Sequence, residues 1–233
     1  MAEFRRLPAL LAVALLALLA ACVPASSEET AVVTTPTGPV AYQPTATGAT
    51  WAYLPERATL DEPRVVVRVD GPTVVDGQVR TAWRLVGRGL EVAWFREHRE
   101  DGTFLVREER PGTRITFDPP LQELQPGPFR VGQTWGGTTT ATLEFPQAAP
   151  ENRRQALALE YRTTIVDRRE VTVAAGTFEV FVLNFTSRTF DESGAVVEEL
   201  TQETWYAPHL GEVRTENGFF LVESNLVGLP PAE

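Results

Sequence analysis

The chain has 233 residues with a formal net charge of −10, and all 21 of its basic residues are arginine. An acidic surface repels nucleic acid at long range, so we expect no nucleic-acid partner. Cys22 is the only cysteine and there are two histidines, which argues against an internal disulfide and against a soft-metal site. No motif indicates a cofactor.

The amino-terminal stretch has the layout of a secretory signal. Arg5 and Arg6 precede an apolar run from Leu7 to Ala21, and small residues stand at the end of the run. The run is shorter than the roughly 20 apolar residues that a membrane-spanning helix needs. We therefore predict that residues 1–21 are a signal peptide and that the protein is exported.

The end of that run, Leu19-Ala20-Ala21-Cys22, resembles the lipobox of bacterial lipoproteins. The resemblance implies cleavage between Ala21 and Cys22, attachment of diacylglycerol to the Cys22 sulfur, and acylation of the new terminus, for example with palmitate. Several acyl chains, at about 0.8 kcal/mol per buried methylene, hold a protein on a membrane without a spanning helix. The prediction is an envelope lipoprotein, periplasmic or on the outer face, with a membrane as partner. The alternative is an ordinary signal peptide, with Cys22 as an unmodified cysteine.

Two regions follow the signal. Residues 22–49 are rich in Thr, Pro, Ala and Ser with few large side chains, so they are predicted to be a disordered tether. Residues 50–229 are predicted to be an all-β domain. Its possible halves are 50–125 and 126–229, because Gly-Ala-Thr-Trp at 48–51 is echoed by Gly-Gln-Thr-Trp at 132–135. One continuous sheet and two half-sheets both remain open.

The first half alternates apolar and polar residues with the period of two that half-buried strands show. One such set, Val65 to Val69, is expected to end at Asp70-Gly71. Residues 90–97 and 103–109 are predicted to pair as a hairpin, because Asp101-Gly102 supplies a tight turn. Residues 111–130 contain five prolines, which cannot donate to a sheet ladder, so a surface connector is predicted there.

The second half contains a series of strand candidates separated by turn residues. They are 138–145, 156–167, 177–190, 195–206, 211–216 and 219–223. No helix is predicted beyond the signal. The predicted fold class is all-β, a curved antiparallel meander sheet or an incomplete β-barrel.

One strand candidate, 177–190, is apolar on both faces. Phe181, Leu183 and Phe185 share one face, while Phe178, Val180 and Val182 share the other. An antiparallel sheet with one wet face does not produce this pattern. Either the strand is covered on both sides, or Phe181, Leu183 and Phe185 form a possible apolar ligand face.

A second resemblance rests on two segments of the second half. One is Gly-Thr-Phe-Glu at 176–179, preceded by Val-Thr-Val at 171–173, and the other is Trp-Tyr-Ala-Pro-His-Leu-Gly-Glu-Val-Arg at 205–214. Both are similar to motifs of TapB-like bacterial lipoproteins of unknown function, a group that resembles the LolA/LolB kind of envelope protein. The resemblance implies a curved antiparallel sheet or incomplete barrel over 51–223. Its motifs are turn glycines and packing aromatics, so it implies a fold and no activity.

No catalytic residue is predicted. The chain lacks the Gly-x-Ser-x-Gly and His-Glu-x-x-His motifs, and His98 and His209 lie beside a hairpin and in a turn. The five tryptophans lie on or beside strand patterns and are expected in the core. The predicted function is a non-catalytic accessory or binding module that holds a small apolar ligand or an envelope protein. The alternatives are a structural subunit of an envelope complex and a hydrolase that uses two carboxylates.

Overall fold

Twelve antiparallel strands form a closed barrel in the computed structural model, which describes residues 40–191 and 193–226. Each strand pairs with its neighbours in chain order, and β1 pairs with β12 to close the ring. The strands are β1 (Thr50–Pro55), β2 (Val65–Val75), β3 (Gln78–Gly87), β4 (Leu90–Arg99), β5 (Gly102–Arg110), β6 (Thr113–Leu124), β7 (Thr134–Glu144), β8 (Arg154–Val173), β9 (Gly176–Phe190), β10 (Val196–Ala207), β11 (Gly211–Arg214) and β12 (Phe219–Ser224). One short 3-10 helix, Pro150–Asn152, precedes β8.

The predicted all-β antiparallel meander is confirmed, and the structure adds that the ring is closed. The hairpin across Asp101-Gly102 pairs β4 with β5 as predicted, from Arg99 opposite Gly102 to Ala93 opposite Glu109. Gly102 has a φ of 142°, and a Cβ there would lie 2.2 Å from the Leu124 carbonyl oxygen. Glycine is therefore required at this turn by both conformation and space.

Two strand boundaries differ from the prediction. β2 does not end at Asp70-Gly71 but continues to Val75, because Gly71, with a φ of 99°, absorbs a shift in register against β3. The predicted connector 111–130 contains β6, which pairs with both β5 and β7. Its prolines at 119 and 120 fall where the β5 pairing skips from Thr116 to Leu121, so they interrupt no ladder bond.

Large aromatic side chains fill much of the barrel interior. The diameter of a closed barrel grows with strand number, and about eight strands already leave just enough room for side chains. Here Trp51 and Trp83 stack inside the barrel with ring centroids 5.2 Å apart. Trp51, Trp83 and Trp135 are buried, and Trp94 and Trp205 are half-buried. Aromatic rings thus occupy part of the wider interior that twelve strands enclose.

The segment 40–49 packs against one end of the barrel, beside the β6–β7 and β10–β11 connections. Tyr42 is 5% exposed, and its ring lies flat on Phe129 at 3.6 Å between centroids. The Phe129 N–H donates to the Tyr42 hydroxyl at 3.2 Å, and the His209 N–H donates to the Ala41 carbonyl at 2.6 Å. The signal peptide, Cys22 and residues 22–39 of the predicted tether lie outside the described residues.

No helix within residues 40–191 and 193–226 is long and apolar enough to cross a membrane.

Candidate ligand site in the barrel interior

A cavity of about 60 Å³ lies inside the barrel between residues of the amino-terminal segment and the β11–β12 turn. The strand register places its walls on one face, because Trp51 is opposite Val67, Val67 is opposite Leu85, and Trp83 is opposite Trp94. The lining residues are Gln43, Pro44, Trp51, Tyr53, Val67, Trp83, Leu85, Trp94, Arg96, Tyr206, Gly211, Glu212, Thr215, Glu216 and Asn217.

Hydrogen bonds hold three of the aromatic walls. The Trp51 indole N–H donates to the Leu210 carbonyl at 2.7 Å, and the Tyr53 hydroxyl donates to the Glu212 carbonyl at 2.9 Å. The Trp94 indole N–H donates to a Glu108 carboxylate oxygen at 3.1 Å. Since each ring is fixed through its polar atom, the aromatic walls of the cavity are preorganised.

Arg96 is a buried cation at the cavity wall, and it is committed to one partner. Its Nε and Nη2 donate to the two Glu123 carboxylate oxygens at 2.6 and 2.9 Å. The guanidinium lies 5.1 Å from the ring centroids of both Trp83 and Trp94. Burial by itself lowers the pKa of Arg96, but the Glu123 carboxylate outweighs burial, so the pKa is raised and the charge is kept.

Two further carboxyl groups, Glu212 and Glu216, line the cavity. Glu212 stands opposite Tyr206 on neighbouring strands, and Glu216 lies in the β11–β12 turn. Burial raises the pKa of Glu212 well above its usual range, and the negative charge of Glu216 adds to this. Glu216 is exposed to solvent, and the nearby protein together with the negative charges of Glu108 and Glu123 raises its pKa.

Acidic side chains outnumber basic ones among the residues that line the cavity. Within the described residues neither Glu212 nor Glu216 forms an ion pair, whereas Glu123 is paired with Arg96 and Glu108 with Arg110. Burial also raises the pKa of Tyr206 well above its usual range, with Glu212 adding to the effect. Acidic groups therefore outnumber basic ones in the lining, and the raised pKa of Glu212 favours its neutral carboxyl form.

Two polar atoms of the lining residues have no hydrogen-bond partner in the described part of the chain. They are the Trp83 indole nitrogen, a donor, and the Gln43 side-chain oxygen, an acceptor. Trp83 is only 5% exposed. An unsatisfied buried donor or acceptor costs about 1–3 kcal/mol, and both atoms are inaccessible even to a water-sized probe.

The predicted apolar face lies elsewhere in the interior. Phe181 and Leu183 are 5% and 2% exposed and pack with Tyr42, Phe129 and other buried residues. Phe185 is half-buried beside Tyr161, with ring centroids 6.3 Å apart. These three residues do not line the cavity described above, so the apolar ligand face stays a prediction.

The residues that line the cavity were not among the predicted site residues. Arg96 follows Trp94 by two positions on β4, and this spacing alone places both side chains on one face. Glu108, opposite Trp94 on β5, accepts a hydrogen bond from the Trp94 indole N–H. The sequence around Glu212 and Glu216 does not indicate a site, because these residues come near Arg96 only when the ring closes.

The histidines do not contribute to this cavity. The His98 Nδ1 lies 3.1 Å from the Thr103 hydroxyl at the β4–β5 hairpin, and burial together with Arg96 lowers the pKa of His98. His209 has a φ of 60° in the β10–β11 turn. In the part of the chain that the structure describes, no group of three or more His, Cys, Asp or Glu residues is placed to hold a metal ion.

A larger, open cleft of about 710 Å³ lies against strands β7 to β10. It is rich in outward-facing threonines and charged residues, such as Glu160, Arg162 and Arg188. Arg188 forms an ion pair with Glu199 at 3.0 Å, and both side chains are more than half exposed. Such a pair in water is worth about 0–1 kcal/mol.

No protein-family model and no curated protein matches this chain. Two solved structures are similar to it. One is a predicted lipoprotein from Parabacteroides distasonis ATCC 8503, with 14% identity, a TM-score of 0.47, and coverage of 80% of this chain and 99% of that one. The other is a predicted exported protein with a YmcC-like fold from Bacteroides fragilis NCTC 9343, with 14% identity, a TM-score of 0.42, and coverage of 79% and 99%. Neither similarity assigns a function to this chain.

Proposed function

We propose that this protein is a lipid-anchored envelope lipoprotein that acts as a non-catalytic binding module and holds a small ligand inside its barrel. The observation that carries the binding role is the interior cavity, which combines aromatic walls fixed by hydrogen bonds with the polar side chains of Arg96, Glu212 and Glu216. The anchor rests on the lipobox resemblance at Leu19-Ala20-Ala21-Cys22, which implies the lipid on Cys22.

A ligand explains the polar lining better than packing does. Stable interiors satisfy their buried polar groups, and an interior filled only for stability uses apolar side chains. This cavity instead combines aromatic walls with Arg96, Glu212 and Glu216. A few polar groups that converge between aromatic walls are the composition of a small-molecule site.

The structure favours binding over catalysis. Within the described residues neither histidine lines the cavity, and the buried Arg96 is held by Glu123 in a bidentate pair. A group held in this way serves to position charge rather than to exchange protons. The two carboxyl groups that remain are best assigned to ligand recognition.

The test is native mass spectrometry of the protein extracted from its own membranes in a mild detergent. We expect a small non-covalent mass on the native protein that is absent under denaturing conditions. Val67→Phe, which places a larger side chain at the cavity wall, should remove that mass. The matched control is Val66→Phe, because Val66 is 39% exposed on the other face of the same strand.

Two results would overturn the binding role. One is a native mass equal to the denatured mass for the wild-type protein. The other is retention of the bound mass by a folded Val67→Phe variant. In either case the cavity would be a packing defect that holds water.

A further inference from the structure

We infer that the β10 edge, defined as the side of residues Val196 to Glu203 that faces β11, is a docking site for another protein. An extended, basic segment of that protein adds there as a further strand. The inference goes beyond the proposed ligand binding and does not use the interior cavity. It follows from the strand pairing, from the exposure of the edge and from its charge.

β10 is much longer than the strand beside it in the ring. It has 12 residues and pairs with β9 from Val196 to Tyr206. β11 has 4 residues and pairs with β10 only from Trp205 to Ala207. Within residues 40–191 and 193–226 no strand pairs with the β10 edge, so ring closure leaves most of this side of β10 bare.

Two hydrogen bonds show which backbone groups face the bare side. The Glu203 carbonyl accepts from the Arg214 guanidinium on β11 at 2.5 Å, and the Ala207 carbonyl accepts from the turn that leads to β11 at 3.3 Å. Because the backbone groups of a strand point to alternate sides along the chain, the N–H and C=O of Glu199 and Thr201 also face this side. They are the donors and acceptors that an added strand requires.

The β10 edge lacks the usual protection of an edge strand. Such strands are often kept short or carry lysine or proline, and the stretch from Val196 to Glu203 contains neither residue. It exposes apolar side chains instead, since Val196 is 49%, Val197 is 55% and Leu200 is 38% exposed. A long bare edge with exposed apolar side chains is suited to strand addition.

The charge of the β10 edge favours a basic partner. It carries three glutamates, Glu198, Glu199 and Glu203, and no basic residue. Glu199 is paired with Arg188 on β9, and Glu203 contacts Arg214 on β11 at 3.5 Å. Glu198 has no ion pair in the described part of the chain. An added strand places its side chains beside those of β10, where opposite charges stabilise the pair and like charges oppose it.

The other possible occupants lack this complementary charge. A second copy that paired β10 with β10 across a two-fold axis would bring its own three glutamates against the same three. Residues 22–39 and 227–233 of this chain contain glutamate and no basic residue. A basic segment of another protein is therefore the occupant that complements the β10 edge.

Fluorescence anisotropy of dye-labelled peptides of about seven residues tests the inference on the full-length lipoprotein in detergent. The first peptide alternates arginine and valine. The second replaces each arginine with glutamate, and the third is the first with its backbone amides N-methylated. We expect the first peptide to bind and the other two to bind at least about tenfold more weakly, because one loses the charge match and the other loses its backbone donors.

One pair of variants tests the backbone of the β10 edge. Thr201→Pro removes an N–H that faces the bare side, and proline is tolerated where the N–H of an edge strand faces solvent. We expect it to weaken the arginine peptide by at least about fivefold, because a hydrogen bond is lost and the ring blocks the approaching strand. Thr201→Val keeps the N–H and should bind like the wild type.

A second pair tests the charge. Glu198→Lys should weaken the arginine peptide about 3- to 10-fold, because one exposed charge is reversed beside the added strand. Glu100→Lys makes the same change at an exposed position in the β4–β5 turn, and its affinity should stay within about twofold of the wild type at about 0.15 M salt.

The inference is overturned if no peptide binds, or if the glutamate or N-methylated peptide binds as well as the arginine peptide. A Thr201→Pro variant that folds, as judged by circular dichroism, and binds like the wild type overturns it as well. If Thr201→Pro does not fold, Glu198→Lys decides in the same way. A wild-type protein that sediments as a dimer, and becomes a monomer with Thr201→Pro, would assign the edge to a second copy instead.

Discussion

The carboxyl group of Glu212 couples the stability of the barrel to pH. Burial raises its pKa well above the usual value near 4.5, and the charges of Glu216 and Glu123 add to this while Arg96 opposes it. The folded state therefore holds the Glu212 proton more tightly than the unfolded state does. Its contribution to stability is complete below about pH 4.5 and is lost as pH rises through the raised pKa.

We expect Glu212→Gln to flatten this pH dependence. The amide cannot ionise, so the variant should gain stability relative to the wild type as pH rises from about 4.5 to about 8. Urea unfolding, followed by tryptophan fluorescence at several pH values, measures the difference. Glu160→Gln, at an exposed position, should follow the wild-type curve. Parallel curves for the wild type and Glu212→Gln would show that Glu212 is ionised at neutral pH in both states.

The Arg96–Glu123 pair makes the second residue-scale prediction. Arg96→Met leaves the Glu123 carboxylate without its cation, and breaking a buried pair in this way costs about 3–5 kcal/mol of unfolding free energy. The double variant Arg96→Met with Glu123→Leu should be more stable than the single one, because no unpaired charge remains. Denaturant unfolding at neutral pH compares the two.

An exposed pair supplies the control. Arg84 contacts Asp70 at 3.0 Å, and its side chain is 48% exposed. Arg84→Met should therefore cost only about 0–1 kcal/mol. Equal losses for Arg96→Met and Arg84→Met would contradict the buried, committed role of Arg96.

At the scale of elements, the segment 40–49 acts as part of the barrel core. Tyr42 is buried between Phe129, which it stacks on, and Phe181, which meets it edge to face at 5.7 Å. We expect Tyr42→Ala to lower the unfolding free energy by about 3–5 kcal/mol, because it leaves a cavity where an aromatic ring was. Thermal and urea unfolding of the full-length protein measure the loss.

Tyr42→Phe separates packing from hydrogen bonding. It keeps the ring and removes only the hydroxyl that accepts from the Phe129 N–H, so the loss should be about 0.5–1.5 kcal/mol. If Tyr42→Ala is as stable as the wild type, the segment is not part of the core. Binding of an apolar dye by Tyr42→Ala, but not by Tyr42→Phe, would show the vacated space beside Phe181 directly.

The strands show which elements local patterns predict. The β4–β5 hairpin follows from alternation and a turn, and the long strand β9 follows from an apolar run bounded by turn residues; these signals depend only on neighbouring positions. β6 was missed because five prolines between 111 and 130 outweighed its alternation. The cost of a proline depends on whether its partner strand needs a donor there, and only the register of β5 settles that.

At the scale of the whole molecule, we expect the predicted anchor to be dispensable for folding of the barrel. Cys22→Ser removes the sulfur that the lipobox resemblance assigns to the lipid, so we expect the variant to leave the membrane fraction. Immunoblots of membrane and soluble fractions after a salt wash measure this. Tryptophan fluorescence should be unchanged, because the five tryptophans lie at positions 51–205.

Ser26→Ala, in the predicted tether, is the matched control and should remain in the membrane fraction. A Cys22→Ser variant that stays membrane-bound after the salt wash would contradict the anchor. Ligand binding by the released variant would show that the barrel functions without its lipid.

The candidate site joins residues that are far apart in the sequence. The period of two on β4 is enough to place Arg96 on the face of Trp94. Nothing in the sequence brings Arg96 together with Glu123 on β6 and Glu212 on β11, since these positions are separated by 27 and 116 residues. Arg96 meets Glu123 across β5, and only closure of the ring through β12 and β1 brings Glu212 into the same cavity lining as Arg96.

The sequence by itself determined the strand-rich character of the domain, its main turns and the predicted export signal, because alternation, turn glycines and an apolar run act over a few residues. The tertiary structure decided that the meander closes and that residues 40–49 pack against one end. It also decided that acids exceed bases in the interior cavity. Ring closure, the packing of residues 40–49 and the charge balance of the cavity all depend on contacts between strands that are far apart in the sequence. No single segment of the chain determines them.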